Sequence, residues 1–215
     1  MSAVTHDFLA QLGRDRLLAI IRGTDPGAAV AASLTLFDAG IRFLEVSLVT
    51  TDALGVIAEL ARLAPAGCVV GAGTVLTIDD VTSAAAAGAT FMVTPAVTES
   101  IAESVRLGLP VLAGALTPTE VVAARRAGAT AVKLFPGSFG GPAYLRALRD
   151  PLPDVPFVPV GGVDAERAAA YFTAGAVAVG LGSPLLGDSV RGGDLDALRE
   201  RAAEFRNVAA AAGPA

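Results

Sequence analysis

The chain has 215 residues, 53% hydrophobic and 17% charged, with a formal net charge of −5. That length fills one substantial core rather than two comfortable domains, and the composition excludes a disordered chain. No basic run offers a surface to nucleic acid, so none is expected as a partner.

In chain order, the opening "MSAVTHDFLAQLGRDR" lacks the charged start, apolar middle and small-residue cleavage site of a signal peptide. It carries the only histidine, His6, in what reads as a mobile first turn. The first strand is "LLAIIR" (17–22), followed by "GTDPG", a helix start. "FLEVSL" (43–48) is a second strand and "DALGVIAELARLA" (52–64) a helix. "CVVGAGTV" (68–75) opens on the only cysteine, Cys68, which excludes an internal disulfide and reads as core filler. Strands at "TFMVTP" (90–95) and "PVLAGAL" (110–116) follow, then the helix "TPTEVVAARRAG" (117–128). The last strands are "AVKLFP" (131–136), "FVPVGGV" (157–163) and "AVAVGLGS" (176–183). The helix "DLDALRERAAEFRNVAA" (194–210) closes the chain, and "AAGPA" reads as frayed.

The strands are almost continuously apolar, the pattern of a parallel sheet covered on both faces. Gly40, Gly88, Gly128 and Gly175 each follow an alanine before every second strand, where a helix would stop in the left-handed conformation. Four such marks leave room for two βα units each. The sequence therefore predicts a single-domain closed (β/α)8 barrel over 1–215, with a core of about 17–190. An open doubly wound sheet is the competitor, but its G-x-G-x-x-G turn is missing after the first strand. Apolar runs break well short of ~18 residues, so no membrane span is expected and a cytoplasmic location is.

Function in such a barrel collects where the strands end. Lys133 is the only lysine among sixteen basic residues, and it stands inside an apolar strand. It could merely snorkel to water. Three apolar residues still follow it, however, and an arginine would serve better in a plain ion pair. A lysine amine, unlike a guanidinium, can be desolvated into a nucleophile toward carbonyls. Glu45 interrupts its own strand in the same way, as an acid/base for that amine or as a structural partner for an arginine. With one histidine and one cysteine far apart, neither a metal site nor a Ser-His-Asp triad is expected. The glycine-rich tails "VGGV" (160–163) and "GLGS" (180–183), with a helix start behind them, can form an anion nest, although close packing would also explain them.

"LEVSL", "GAGTV", "VTPAV", "VKLFPG", "VPVGGV" and "GLGS" closely resemble the 2-keto-3-deoxy-6-phosphogluconate (KDPG) aldolases and their galactonate (KDPGal) relatives. The resemblance runs from Leu17 to Ser183. It implies a class I aldolase that is a cytoplasmic homotrimer of (β/α)8 barrels and needs no metal or organic cofactor. It implies Lys133 as the imine-forming residue and Glu45 as the acid/base. Thr74, with Arg22 nearby, would hold the pyruvyl carboxylate, and Pro95 and Phe135 would line the pyruvate pocket. Gly161, Gly162, Gly182 and Ser183 would cradle the phosphate. Two departures stand out. Val49 occupies a place where some members carry arginine, and Val160 replaces the threonine of the KDPG-type P-T-G-G. A phosphosugar isomerase or epimerase, or a barrel that only binds phosphorylated metabolites, are the alternative functions.

Overall fold

The structure, a computed structural model, describes residues 3–215. Eight parallel strands alternate with helices: β1 Leu17–Ile21, β2 Phe43–Ser47, β3 Val69–Gly73, β4 Met92–Val93, β5 Val111–Ala115, β6 Ala131–Leu134, β7 Phe157–Pro159 and β8 Val179–Leu181. The helices are α1 Ala3–Asp15, α2 Pro26–Asp38, α3 Ala53–Leu63, α4 Ile78–Ala86, α5 Ser100–Arg106, α6 Pro118–Arg126, α7 Gly141–Arg149, α8 Ala165–Thr173, α9 Ser183–Leu186 and α10 Leu195–Ala212. Strand order is β7-β6-β5-β4-β3-β2-β1-β8, and a bridge between Val160 and Gly180 draws the two ends together. The result is the expected (β/α)8 barrel.

Local chemistry starts and stops the helices where the sequence marks them. Asp25, Thr77, Thr117 and Asp164 each accept a backbone N–H in the first turn of the helix that follows, and Thr77 and Thr117 do so within capping boxes. At the other end, Gly40, Gly88, Gly128 and Gly175 all have φ between +83° and +105°. A side chain there would be strained, so the alanine-glycine marks are helix stops.

Side-chain parity splits each strand between two cores. Ala19, Ile21, Leu44, Val46, Val132 and Leu134 face the helices. Leu18, Ile20, Phe43, Val93, Leu112, Val158 and Val160 fill the lumen. Glu45 and Lys133 share the lumen parity.

Three expectations change. Residues near His6 belong to helix α1, whose Phe8 and Leu12 plug the lumen floor against Phe43 and Phe91, so His6 lies in a helix rather than in a turn. The last residues are held rather than frayed. Arg16 donates to the carbonyls of Ala212 and Gly213, and the Ala215 N–H donates to Gly13 O at 3.2 Å. The strands also end sooner than the apolar runs that announced them. Thr74, Pro95, Phe135, Gly161, Gly162, Gly182 and Ser183 therefore lie in the segments just past the strand ends.

Candidate active site

Two side chains that would be costly to bury singly share the lumen. Lys133 Nζ lies 3.9 Å from Glu45 Oε1, with the two side chains 7% and 2% exposed. An ion pair this dry survives because each charge offsets the desolvation of the other. Burial pushes the Glu45 carboxyl above its ordinary value, while the charges of Lys133 and Arg22 pull it back down. Glu45 Oε2 has no hydrogen-bond partner among the described residues, so part of its capacity to accept a proton is unused by the protein. The Phe135 ring centroid lies 5.3 Å from Lys133 Nζ, giving the cation an apolar face on the side of the strand end.

Glycines on neighbouring strands make room for this pair. Gly73 is placed so that a Cβ would lie 2.6 Å from Glu45 Oε1, and Gly114, in register with Lys133, is pressed against the backbone of Pro95. Gly180 faces Val160 so closely that a Cβ would lie 2.5 Å from Cγ2. Larger residues at these points would fill the space into which the carboxylate, the Pro95 segment and Val160 project.

Thr74 is a β-branched residue with φ +61°, a strained conformation that local contacts must hold. Its Oγ1 lies 2.7 Å from Oγ of the fully buried Ser47, at the end of β2. Ser47 was not singled out in the sequence. A serine in a strand carries no signal until the backbone of its partner is known. Tyr171 was missed for the same reason. From α8 its hydroxyl donates to Gly137 O, and the Gly137 N–H donates to Val160 O at 2.6 Å, tying the tails of β6 and β7 together.

Above the pair opens a cavity of about 740 Å³ lined by Arg22, Phe135, Val160, Gly161, Gly162, Gly182 and Ser183, among others. Seven of the eleven expected site residues thus share one wall. Lys133 and Glu45 lie in the lumen, while Thr74 and Pro95 follow β3 and β4 and are not part of that wall. Gly161 and Gly162 both have positive φ, and a Cβ on Gly182 would meet nothing within 4 Å. Backbone N–H groups can therefore be approached closely here. Val49 is exposed and lines the same cavity.

A buried amine beside a carboxylate, under a cavity edged by glycine turns, can form and hydrolyse an imine on a small carbonyl compound with an anionic tail. Among the described residues no cluster of His, Cys, Asp and Glu could hold a metal ion, and no helix is long and apolar enough to cross a membrane.

A probable 2-dehydro-3-deoxy-6-phosphogalactonate aldolase of Rhizobium meliloti is 38% identical over 188 residues, covering 86% of this chain and 87% of the relative. A 2-dehydro-3-deoxy-phosphogluconate aldolase of Treponema pallidum is 36% identical over 162 residues, 74% of this chain and 77% of its own. A solved structure described as native KDPGal superposes with a TM-score of 0.86 at 35% identity, covering 91% of this chain and 95% of that one. The sequence model of the family described as KDPG and KHG aldolase matches residues 9–200. The chain belongs to the KDPG and KHG aldolase family.

Proposed function

We propose that this protein is a class I aldolase. It cleaves 2-keto-3-deoxy-6-phosphogluconate, its galactonate epimer, or both, to pyruvate and D-glyceraldehyde 3-phosphate, and takes 4-hydroxy-2-oxoglutarate by the same chemistry. One observation carries the reading: the only lysine of the chain is buried in the barrel lumen, 3.9 Å from a buried carboxylate.

Glu45 takes the proton of Lys133, the neutral amine adds to the C2 ketone and passes a proton to its oxygen, and Glu45 then gives the carbinolamine oxygen its second proton so that it leaves as water. The iminium then draws in the electron pair of the breaking C3–C4 bond, while Glu45 takes the C4 hydroxyl proton. Aldehyde and enamine result. Glu45 returns the proton to C3, and water hydrolyses the new iminium to pyruvate and free Lys133. The imine itself is the electron sink, so the scheme calls for no further cofactor.

Thr74, set by Ser47, and Arg22 hold the carboxylate end. Pro95 and Phe135 flank the pyruvyl group, and the N–H groups around Gly161, Gly162, Gly182 and Ser183 receive the phosphate. Val160 lies between the two ends, where it faces C4. Valine offers no hydroxyl to either configuration, so both epimers are substrates, with a preference under ~10-fold or tilted toward galactonate.

The family resemblance adds a homotrimer. Exposed Leu54, Leu76, Ile78 and Val97, from consecutive segments after β2, β3 and β4, support self-association, which a sedimentation mass would measure. The one unpaired cysteine suits the cytoplasm.

The deciding experiment is pyruvate release from both C4 epimers, assayed side by side with wild type and Lys133→Met. Turnover by the wild type alone supports the aldolase. An isomerase would survive loss of the amine, and a binding protein would show affinity for both epimers without turnover.

A further inference from the structure

The cavity above the lysine has a charge opposite to that of the molecule. Its only ionisable lining side chains are Arg22 and Arg191, with no carboxylate among them, in a chain of net charge −5. The two arginines differ in place. Arg22 directly follows β1, the neighbour of the strand that carries Glu45, and its charge lowers the Glu45 pKa, whereas Arg191 lies in the turn after α9.

Arg191 ends a short 3-10 turn, Ser189–Arg191, after α9. That turn is held on several sides. The buried Ser189 Oγ donates to Leu186 O at 2.7 Å, and the Gly193 N–H donates to Asp188 O at 3.2 Å. Gly23 lies so near that a Cβ on it would be 2.6 Å from Val190 O. The Arg191 side chain is nonetheless exposed, with no hydrogen-bond or ion-pair partner among the described residues. Arg167, which also reaches this face, is committed to the structure through a 2.9 Å hydrogen bond to Gly162 O. A well-fixed turn thus presents an uncommitted guanidinium to the cavity that contains Gly161, Gly162, Gly182 and Ser183.

We propose that Arg191 is a specificity-determining residue that pairs with the dianionic far end of the substrate and sets the preference for phosphorylated over unphosphorylated aldehydes. This inference rests on the aldolase reading above. Backbone N–H groups alone supply dipoles. A guanidinium adds a full charge and a fork that matches phosphate oxygens. A phosphate monoester carries about −1.5 to −2 charges near neutral pH, so its gain exceeds that of a neutral or singly charged tail. A positive cavity on an acidic protein also steers such an anion inward.

The test is aldol addition of pyruvate to glyceraldehyde 3-phosphate and to glyceraldehyde, run in parallel. The readout is the ratio of the two kcat/KM values, which does not depend on how much of a preparation is folded. Arg191→Gln lowers that ratio about tenfold or more, through KM for the phosphorylated aldehyde, on the scale of a hydrogen bond to a charged group. Arg191→Lys restores part of it, and added salt erodes the wild-type ratio. An unchanged ratio in Arg191→Gln overturns the proposal. Borohydride trapping of pyruvate by the wild type separates the two failures. With the imine trapped and the ratio unmoved, only the role of Arg191 falls. With no imine, the aldolase reading falls as well.

Discussion

The floor and the mouth of the lumen stand on the same strands and the same side-chain parity, but they hold opposite contents. Phe8 lies with its ring centroid 5.5 Å from that of Phe43 and 5.1 Å from that of Phe91, in a dry plug closed by α1. Two residues further along β2, roughly 7 Å up the strand, the same parity delivers Glu45. Glycine marks both levels of β3. A Cβ on Gly71 would lie 2.5 Å from the Phe91 ring, and one on Gly73 would lie 2.6 Å from Glu45 Oε1. Packing alone uses the first glycine, while the second makes room for a charge. The comparison shows how a barrel keeps a charged pair dry. The aromatic floor seals the lumen below, and the strands it anchors fix the pair above.

The largest effect is expected at the mouth. Glu45→Gln should slow turnover about 100-fold or more, the usual scale for a placed acid/base, with the fold retained. Its pH behaviour sharpens the point. Because burial raises the Glu45 pKa, its contribution to stability is complete below the ordinary value of 4.5 and is lost as pH rises through the raised value. The acid limb of kcat/KM for the wild type, which reports the free enzyme, should accordingly lie above 4.5. Glu45→Gln should remove that limb and flatten the stability profile across the same range. A variant that only unfolds, with full activity per folded molecule, would favour a structural ion pair.

The matched glycines break the comparison most cleanly. Gly73→Ala should displace the carboxylate and lower kcat by up to about 100-fold, the effect of a misplacement near 1 Å. Gly71→Ala should instead cost about 1–3 kcal/mol of stability by overpacking the floor. Activity per folded molecule should then stay near that of the wild type. Denaturation midpoints and active-site-normalised rates check both. Equal losses of rate in the two variants would mean that floor and mouth are not separable.

The smallest effect belongs to Val160. Val160→Thr adds a hydroxyl at nearly constant volume, and should move the epimer ratio toward gluconate by about 1 kcal/mol, the net value of one hydrogen bond. A wild type that already prefers the gluconate epimer a hundredfold, or an unmoved ratio, would place discrimination elsewhere, with the segment bearing Val49 next in line.

How much of this was legible depends on the range of the interactions involved. Helix stops at Gly40 and Gly128 are local, so their chemistry was readable directly, whereas the equally local caps at Thr77 and Thr117 were not singled out. Lys133 and Glu45 stood out because a charge inside an apolar strand demands a reason. The strands are apolar on both faces, however, so parity alone could not say whether Lys133 faced the lumen or the helices. The roles of Gly71, Gly73, Gly114 and Gly180 are set by residues on adjacent strands, and the burial of Phe8 and Leu12 by a barrel that has yet to form. Ser47 and Arg191 gain meaning only from partners distant in the chain. The strand ends were overrun because small and apolar residues continue past the last ladder hydrogen bond into the segments that carry the site.

The central claim is that the single lysine is the covalent centre, and one experiment tests it most directly. The protein is incubated with pyruvate and borohydride, digested, and mapped by mass spectrometry. Because Lys133 is the only lysine, the N-terminal amine is the only other candidate for an imine. The account predicts one reduced pyruvyl adduct per chain, located on Lys133. An adduct on the N-terminus alone, or no adduct at all, would contradict it.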